Sequence, residues 1–438
     1  MFKVLKFGGS SMADANQYKK VKDIVVADSS RKVVIVSAAG KRFGADNKIT
    51  DLLYLCYAHI QYGVESDSIF EMIADRYITI KNELNLSIDI EAELDKIKEK
   101  MKKGISQDEL VSRGEYLSAI LLADYLGYTF IDATQWLTFK FDGTIDTEVS
   151  YEKLSKIPYE NGVVIPGFYG IMPNNNSIKV LTRGGSDITG ALAAAAYKAD
   201  VYENWTDVSG VLMADPRIVE NPKPIKHITY DELRELSYMG AQVLHEGTIF
   251  PVKKANIPLN IRNTNDPENS GTLIVRKCDD PADDQNFITG ITGRRDFTII
   301  GITKHGSCAE VGYLKKVTSI FAKHGVSIEF VPSAIDTYSF VMPTALVADE
   351  LYSIIGDIEN EIKPEKIDVH DKISIIAVVG RKMAFKPGIS GKLFAALGQN
   401  GINIRMISQG PDERNIIVGT DNKDYEKTIR VLYNSFIK

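Results

Sequence analysis

Short β-branched runs alternate with longer helical patterns through the first half of the chain. VLKF (4–7) precedes a helix-like stretch at 13–28, and KVVIVSAAG (32–40) precedes another that starts near Thr50. Further strand-like runs are GVVIPGFYG (162–170), IKVL (178–181), ADVYENW (199–205) and IPLNIRN (257–263). Apolar runs that do not alternate are those buried on both faces, so the pattern predicts an α/β fold on a mainly parallel sheet. The segment from about 65 to 125 reads as mostly helical, with SRGE (112–115) at a helix start, and MPNNNS (172–177) reads as the tip of a hairpin.

Near CDDPADDQN (278–286) the composition turns acidic and turn-rich, which predicts a domain boundary. Beyond it lies an internal repeat with a gapless offset of 76 residues: Ile300/Ile376, Ile302/Val378, Gly312/Gly388, Phe321/Leu397, Gly325/Gly401, Ile328/Ile404 and Val341/Ile417. Each copy reads as strand, Gly-started helix, Gly turn (HGVSIEF, NGINIRM), strand, strand, helix. The expected organisation is one domain over 1–285 and two repeats over 295–370 and 371–438, with strands exchanged between the copies.

Length and composition narrow the picture. At about 150 residues per domain, 438 residues suggest roughly three domains. The net charge of −6 gives no basic face for nucleic acid or a membrane surface. Cys56, Cys278 and Cys308 are an odd number without metal-type spacing, so reduced thiols are expected and no metal site of the chain's own. No apolar run approaches the roughly 18 residues of a membrane span, and Lys3 and Lys6 break the apolar start, so a cytoplasmic protein is expected.

G-x-G, the P-loop and H-E-x-x-H are all missing, which lowers dehydrogenases, P-loop kinases and zincins. What remains is a pair of Gly-Gly turns. Lys6-Phe7-Gly8-Gly9-Ser10-Ser11 follows a strand, so backbone N–H groups and a lysine can meet an anion; a plain strand–helix turn with serine caps is the other reading. Thr182-Arg183-Gly184-Gly185-Ser186-Asp187 leads into ITGALAAAA and gathers a guanidinium, a hydroxyl and a carboxylate at one helix start. Two such turns in one α/β domain favour a site for two anionic partners. Trp205-Thr206-Asp207 ends a strand, where ligands bind in open α/β sheets, and Ala214-Asp215-Pro216-Arg217 follows it.

In their order, KFGGSS, SAAG with ITD, SRGE, GFYG, LTRGGSD, WTDVSGV, ADPR and GAQVLHEG resemble the aspartokinases of the amino acid kinase family, and the tandem repeat resembles paired ACT domains, which are ferredoxin-like βαββαβ modules that bind amino acids. The resemblance implies an amino acid kinase fold followed by two such modules. It also implies ATP-dependent phosphorylation of the β-carboxylate of L-aspartate, the first step toward lysine, threonine and methionine. By the same resemblance, Lys6 contacts the transferring phosphoryl group, with Gly8, Gly9 and Ser10 lining its path and Asp187 orienting Lys6. Thr50, Glu115, Phe168, Arg183 and Ser186 would serve aspartate. Thr206, Asp207, Leu212, Asp215, Arg217 and Gln242 would serve ATP, used with Mg²⁺. Three positions depart from the family pattern: Gln242 for a lysine, Leu212 for a tyrosine and Glu246 for a proline.

The first repeat carries Ser307, Glu310, Gly312, Ser327, Ile328, Glu329 and Ser333 as candidate effector residues. The acids suit a basic amino acid, and HGVSIEF resembles the lysine-sensitive aspartokinases, so lysine is expected, with threonine as runner-up. In the second repeat Arg405 takes the place of Glu329, so the copies are not equivalent. A homo-oligomer through the ACT-like repeats is expected. The rival readings are a non-catalytic sensor, a sibling kinase for glutamate, carbamate or UMP, and a homoserine dehydrogenase fusion, which length and the missing G-x-G disfavour.

Overall fold

A computed structural model describes residues 1–182, 184–241, 244, 246–278, 287–381, 383, 386–409 and 414–437, without the side chain of Glu246. The chain forms two compact units. One comprises Met1–Val211, Pro224–Tyr230 and Gln242–Cys278, the other Leu212–Lys223, Asp231–Ala241 and Asp279–Lys438.

The elements begin with β1 (Lys3–Phe7), α1 (Ala15–Val26), β2 (Arg31–Val36), α2 (Ile49–Gln61), α3 (Asp67–Leu84), α4 (Ile90–Lys103) and α5 (Gln107–Leu126). Next come β3 (Thr129–Phe130), α6 (Thr147–Ser155), β4 (Val163–Pro166), β5 (Tyr169–Ile171), β6 (Ile178–Val180), α7 (Gly185–Ala196) and β7 (Val201–Thr206). They are followed by β8 (Val211–Leu212), β9 (Pro224–Ile225), β10 (His227–Thr229), α8 (Tyr230–Tyr238), α9 (Glu246–Ala255), β11 (Leu259–Asn263) and β12 (Thr272–Val275). An eight-stranded sheet runs β10-β12-β11-β7-β1-β2-β4-β3. Its steps are parallel except β11–β12. Leu5, Phe7, Val34 and Val36 share one core with Tyr18, Ile73, Tyr77 and Leu121 of α1, α3 and α5, and the small-residue helix α7 packs on β1, β2 and β7. The predicted hairpin is present: β5 pairs antiparallel with β6, and Met172 N–H donates to Ser177 O across the turn.

The SRGE segment is not a helix start. It lies inside α5 and is buried. The helix begins one turn earlier because Ser106 caps it, its Oγ accepting from Glu109 N–H at 3.2 Å.

The second unit carries β13 (Gly290–Thr303), α10 (Tyr313–Lys323), β14 (Thr337–Pro343), α11 (Thr344–Val347), α12 (Leu351–Ile362), β15 (Lys366–Val379), α13 (Ile389–Gln399), β16 (Met406–Ser408), β17 (Asn415–Asp421) and α14 (Tyr425–Phe436). Five strands form one sheet, β14-β13-β15-β17-β16. Two cores lie along it: Ile300, Ile302, Phe321 and Ile358 in one, Ile291, Ile376, Leu397 and Leu432 in the other. The 14-residue strands β13 and β15 serve both cores and pair with each other along their length. Both bend midway, at Asp296 (φ 64°) and Lys372 (φ 55°), where the ladder shifts register.

HGVSIEF does not form the strand its pattern predicts. It runs beside β14 through the single bridge Phe330–Val341, and Pro332, two residues on, cannot donate to extend a ladder. Its first residue, His324, staples α10 to α12: the ring nitrogens lie 2.8 Å from Glu350 Oε2 and 2.9 Å from Asp357 Oδ2. The hydrogen bonds to Asp357 and Glu350 hold its pKa above the usual 6.5. The stabilisation is therefore complete below 6.5 and is lost as pH rises through the raised value. Denaturant unfolding followed from pH 6.5 upward should show this decline, and His324→Gln should flatten it.

Candidate active site

In the sheet order, β1 lies between the parallel strands β2 and β7, so the chain builds the sheet outward from β1 first on one side and later on the other. Ligands gather at the carboxyl ends of strands around such a switch point. Lys6-Phe7-Gly8-Gly9 and Thr206-Asp207 both end strands there, and Gly8 N–H donates to Trp205 O at 3.0 Å.

Lys6 is buried near the end of β1, and its Nζ lies 2.6 Å from Asp187 Oδ1. Asp187 occupies the first turn of α7, where a carboxylate suits the positive end of the helix dipole. Asn204 Nδ2 donates to the same Oδ1 at 3.0 Å. Asn204 is the residue that sequence reasoning passed over. Its signal was a polar amide at a fully buried position of VYENWT, which needs a partner.

The two Gly-Gly turns are braced by their neighbours. The 3₁₀ turn Gly9–Met12 follows β1. Gly40 N–H, in the loop after β2, donates to Gly9 O at 2.8 Å. A Cβ on Gly40 would stand 2.5 Å from the Gly9 carbonyl carbon, so only glycine permits this approach. Ala39 O accepts from Ile49 N–H at 3.1 Å and places half-buried Thr50 in the first turn of α2. Ser10 is also half-buried.

Glu115 lies under that same loop. It is 4% exposed, the Ala38 amide hydrogen-bonds to it, and its Oε2 has no partner. Burial pushes its pKa up from 4.5 to about 8, against the amide bonds and the Arg113 charge. Arg113 itself is turned away, bonded to Ser112 Oγ and lying over the Tyr116 and Tyr169 rings.

Phe168 adopts φ 79°, a strained conformation for a bulky residue. Thr189 Oγ1 accepts from its N–H at 3.0 Å, and its carbonyl accepts from Leu181 N–H at 2.7 Å. The preceding Gly167 abuts Ser186, where an added Cβ would come within 2.7 Å of the serine Cβ. Gly167→Ala is thus expected to cost about 1–3 kcal/mol and to push Ser186 from its place. Thermal unfolding and initial-rate kinetics should show a lower midpoint and an acceptor KM raised more than the ATP KM.

The structure thus brings together Lys6, Gly8, Gly9, Asp187, Ser186 and Phe168, and links Glu115 and Thr50 to them through the loop after β2. Thr206 donates to Asp207 Oδ1 at 3.2 Å, and Asp207 is exposed. Leu212, Asp215 and Arg217 belong to the other unit, where Arg217 and Asp215 pair at 2.6 Å. Arg183, Gln242 and the Glu246 side chain lie outside the described residues. Among the described residues no cluster of three His, Cys, Asp or Glu could hold a metal, and no helix is long and apolar enough to cross a membrane.

In the first repeat Ser307 is buried with an unpartnered Oγ, close in sequence to the Gly312 cap of α10, and Tyr313 OH is likewise unpartnered. Glu310 is paired with Lys304 and Lys316. Glu329 is held by Arg294 Nη1 at 3.0 Å from both carboxylate oxygens. Ile328 is half-buried, whereas Ser327 and Ser333 are exposed.

A buried acid with one unpartnered oxygen and a lysine–aspartate pair at a glycine-rich switch point can receive an ammonium and a transferring phosphoryl group. Comparison with known proteins identifies the family. The model of the amino acid kinase family matches residues 1–263, and an ACT domain model matches residues 376–436. Aspartokinase 3 of Bacillus subtilis (strain 168) is 35% identical, covering 99% of this chain and 98% of that protein. The crystal structure of Clostridium acetobutylicum aspartate kinase is 48% identical, covers 99% of both chains and superposes with a TM-score of 0.91. E. coli aspartokinase III, solved with aspartate and ADP, is 26% identical over the whole of both chains, with a TM-score of 0.77; its form with lysine and aspartate gives 0.76. With its fold, its ordered motifs and both of its domain types matched, the chain belongs to the aspartokinases of the amino acid kinase family.

Proposed function

We propose that this chain transfers the γ-phosphoryl group of ATP to the side-chain carboxylate of L-aspartate, giving β-aspartyl phosphate and ADP. The observation that carries this reading is Glu115, a buried carboxylate with one unpartnered oxygen beside the loop that braces the Gly-Gly turn. A buried acid without a cation is costly, and the ammonium of an amino acid relieves it. ATP is used as its Mg²⁺ complex, the ion being part of the substrate.

In the transfer, a carboxylate oxygen of aspartate forms a bond to the γ-phosphorus while the bond to the bridging oxygen of ADP breaks. Charge spreads over the equatorial oxygens of the group in transit, so catalysis is positioning and neutralisation. Lys6 supplies the fixed cation, and Asp187, itself held by Asn204, keeps the ammonium aimed. Gly8 N–H is held by Trp205 O and fixes the turn, so the Gly9 backbone offers its N–H close to the phosphoryl path, with Ser10. Ser186, Thr50 and Phe168 frame the acceptor, and Thr206 and Asp207 serve the nucleotide; the family resemblance assigns Arg183 to the acceptor and Leu212, Asp215, Arg217 and Gln242 to the nucleotide.

The wider reading is a cytoplasmic homo-oligomer at the start of lysine, threonine and methionine synthesis. It has a catalytic domain over 1–285 and regulatory repeats over 295–370 and 371–438. Lysine, with threonine as the alternative, inhibits through the first repeat. A basic effector there would exchange with Arg294 at Glu329 while its carboxylate meets the Gly312 end of α10.

Trapping the acyl phosphate as a hydroxamate, with ATP, Mg²⁺ and aspartate, tests the reaction. A signal is expected with aspartate, and a signal only with glutamate would make the chain a sibling kinase. Lysine at saturating ATP should lower turnover, and less so in Glu329→Ala; an insensitive wild type removes lysine as the effector.

A further inference from the structure

We propose that the second repeat carries a pocket for a small organic phosphate, separate from both the kinase site and the first-repeat effector residues. A cavity of about 490 Å³ is lined by Lys223, Lys386 and Lys392, by the rings of Phe287 and Phe436, and by Gly388 at the start of α13. All of these residues lie in the second unit.

The internal repeat explains why this cavity is positive. At the offset of 76, Lys386 matches Glu310, Lys392 matches Lys316 and Gly388 matches Gly312. In the first copy Glu310 neutralises Lys316 at 2.5 Å, and Lys304 at 3.0 Å. In the second copy a lysine replaces that acid, so Lys392 loses its counter-ion and gains a like charge. Lys223 adds a third ammonium, anchored on Ile437 O at 2.6 Å. Among the described residues no carboxylate pairs with any of the three. Lys386 and Lys392 instead rest over the Phe287 and Phe436 rings.

Three compact point charges beside the first turn of an 11-residue helix fit a multiply charged phosphate better than a single carboxylate. The volume exceeds what a bare phosphate fills, and the two rings give an apolar wall for a carbon skeleton. The ligand class is therefore a phosphate ester with an apolar body, bound through charge at one end and ring contact at the other.

Calorimetric titration of the full chain with phenyl phosphate and with inorganic phosphate tests this. Phenyl phosphate is expected to bind more tightly than inorganic phosphate and to weaken as salt is raised. Lys386→Gln/Lys392→Gln should weaken it by roughly tenfold or more, on the scale of one charge-assisted hydrogen bond. Both lysines are exposed, so the fold is not at stake, and Lys223→Met provides a second variant with the same expected direction. Lys6→Ala should leave the binding intact, which separates this pocket from the kinase site. No binding of phenyl phosphate, equal binding of the two probes, indifference to the lysine variants, or loss in Lys6→Ala would each overturn the proposal.

Discussion

Replacing Lys6 with alanine is expected to lower turnover about 10²–10³-fold while aspartate KM changes by no more than a few-fold, the signature of a cation that acts on charge developing in transit. The geometry sharpens this expectation. Lys6 Nζ is fixed by Asp187 at 2.6 Å, and Asp187 is fixed by Asn204. The ammonium therefore needs no reorganisation when the phosphoryl group arrives. Asn204→Ala should give a smaller loss in the same direction, because the pair survives but its aim does not. Steady-state kinetics with each substrate varied in turn measure both effects. Turnover of Lys6→Ala within a few-fold of wild type would remove this residue from the mechanism.

Glu115→Gln is expected to weaken aspartate by about 10–150-fold, the worth of one charged hydrogen bond of about 1.5–3 kcal/mol, and to change the pH profile. In the wild type the carboxyl titrates near 8 because burial opposes its charge. An ammonium is gripped by the ionised form, so kcat/KM for aspartate should rise about tenfold per pH unit below 8 and level off above it. The glutamine variant should be low and flat. Stability carries the opposite sign. A carboxyl raised from 4.5 to about 8 contributes fully below 4.5, and that contribution is lost as pH rises through 8. Unfolding of the ligand-free protein across this range should show the loss, Glu115→Gln should abolish it, and aspartate should offset it in the wild type only. A wild-type profile identical to that of the variant would take Glu115 out of the acceptor site.

The parallel sheet was legible because its strands are buried on both faces and read as unbroken apolar runs such as KVVIV. The Gly-Gly turns were legible because close backbone approach demands glycine, as the contact between Gly9 and Gly40 bears out. What stayed hidden were relations between distant segments. Nothing local to VYENWT says that Asn204 meets Asp187, and nothing in GFYG says that Phe168 is strained or that Thr189 holds it. The helix start at Ser106 is written in the sequence as S-x-x-E, but Ser112 and Glu115 repeat that spacing six residues on, inside the helix. The pairing after HGVSIEF stops at one bridge, where the second repeat has the strand Met406–Ser408, because Pro332 cannot donate. Glu329 read as an acid open to an effector, yet it is already paired, and its partner Arg294 lies 35 residues away on β13.

That β13 and β15 run through both cores has a mechanical meaning. Fourteen residues at about 3.3 Å each make beams of roughly 46 Å. A beam clamped at both ends carries a tilt from one end to the other instead of absorbing it. Its compliance is concentrated where the ladder is broken, at the creases formed by Asp296 and Lys372. The two cores therefore share one axle that is stiff within each half and hinged between them at those creases.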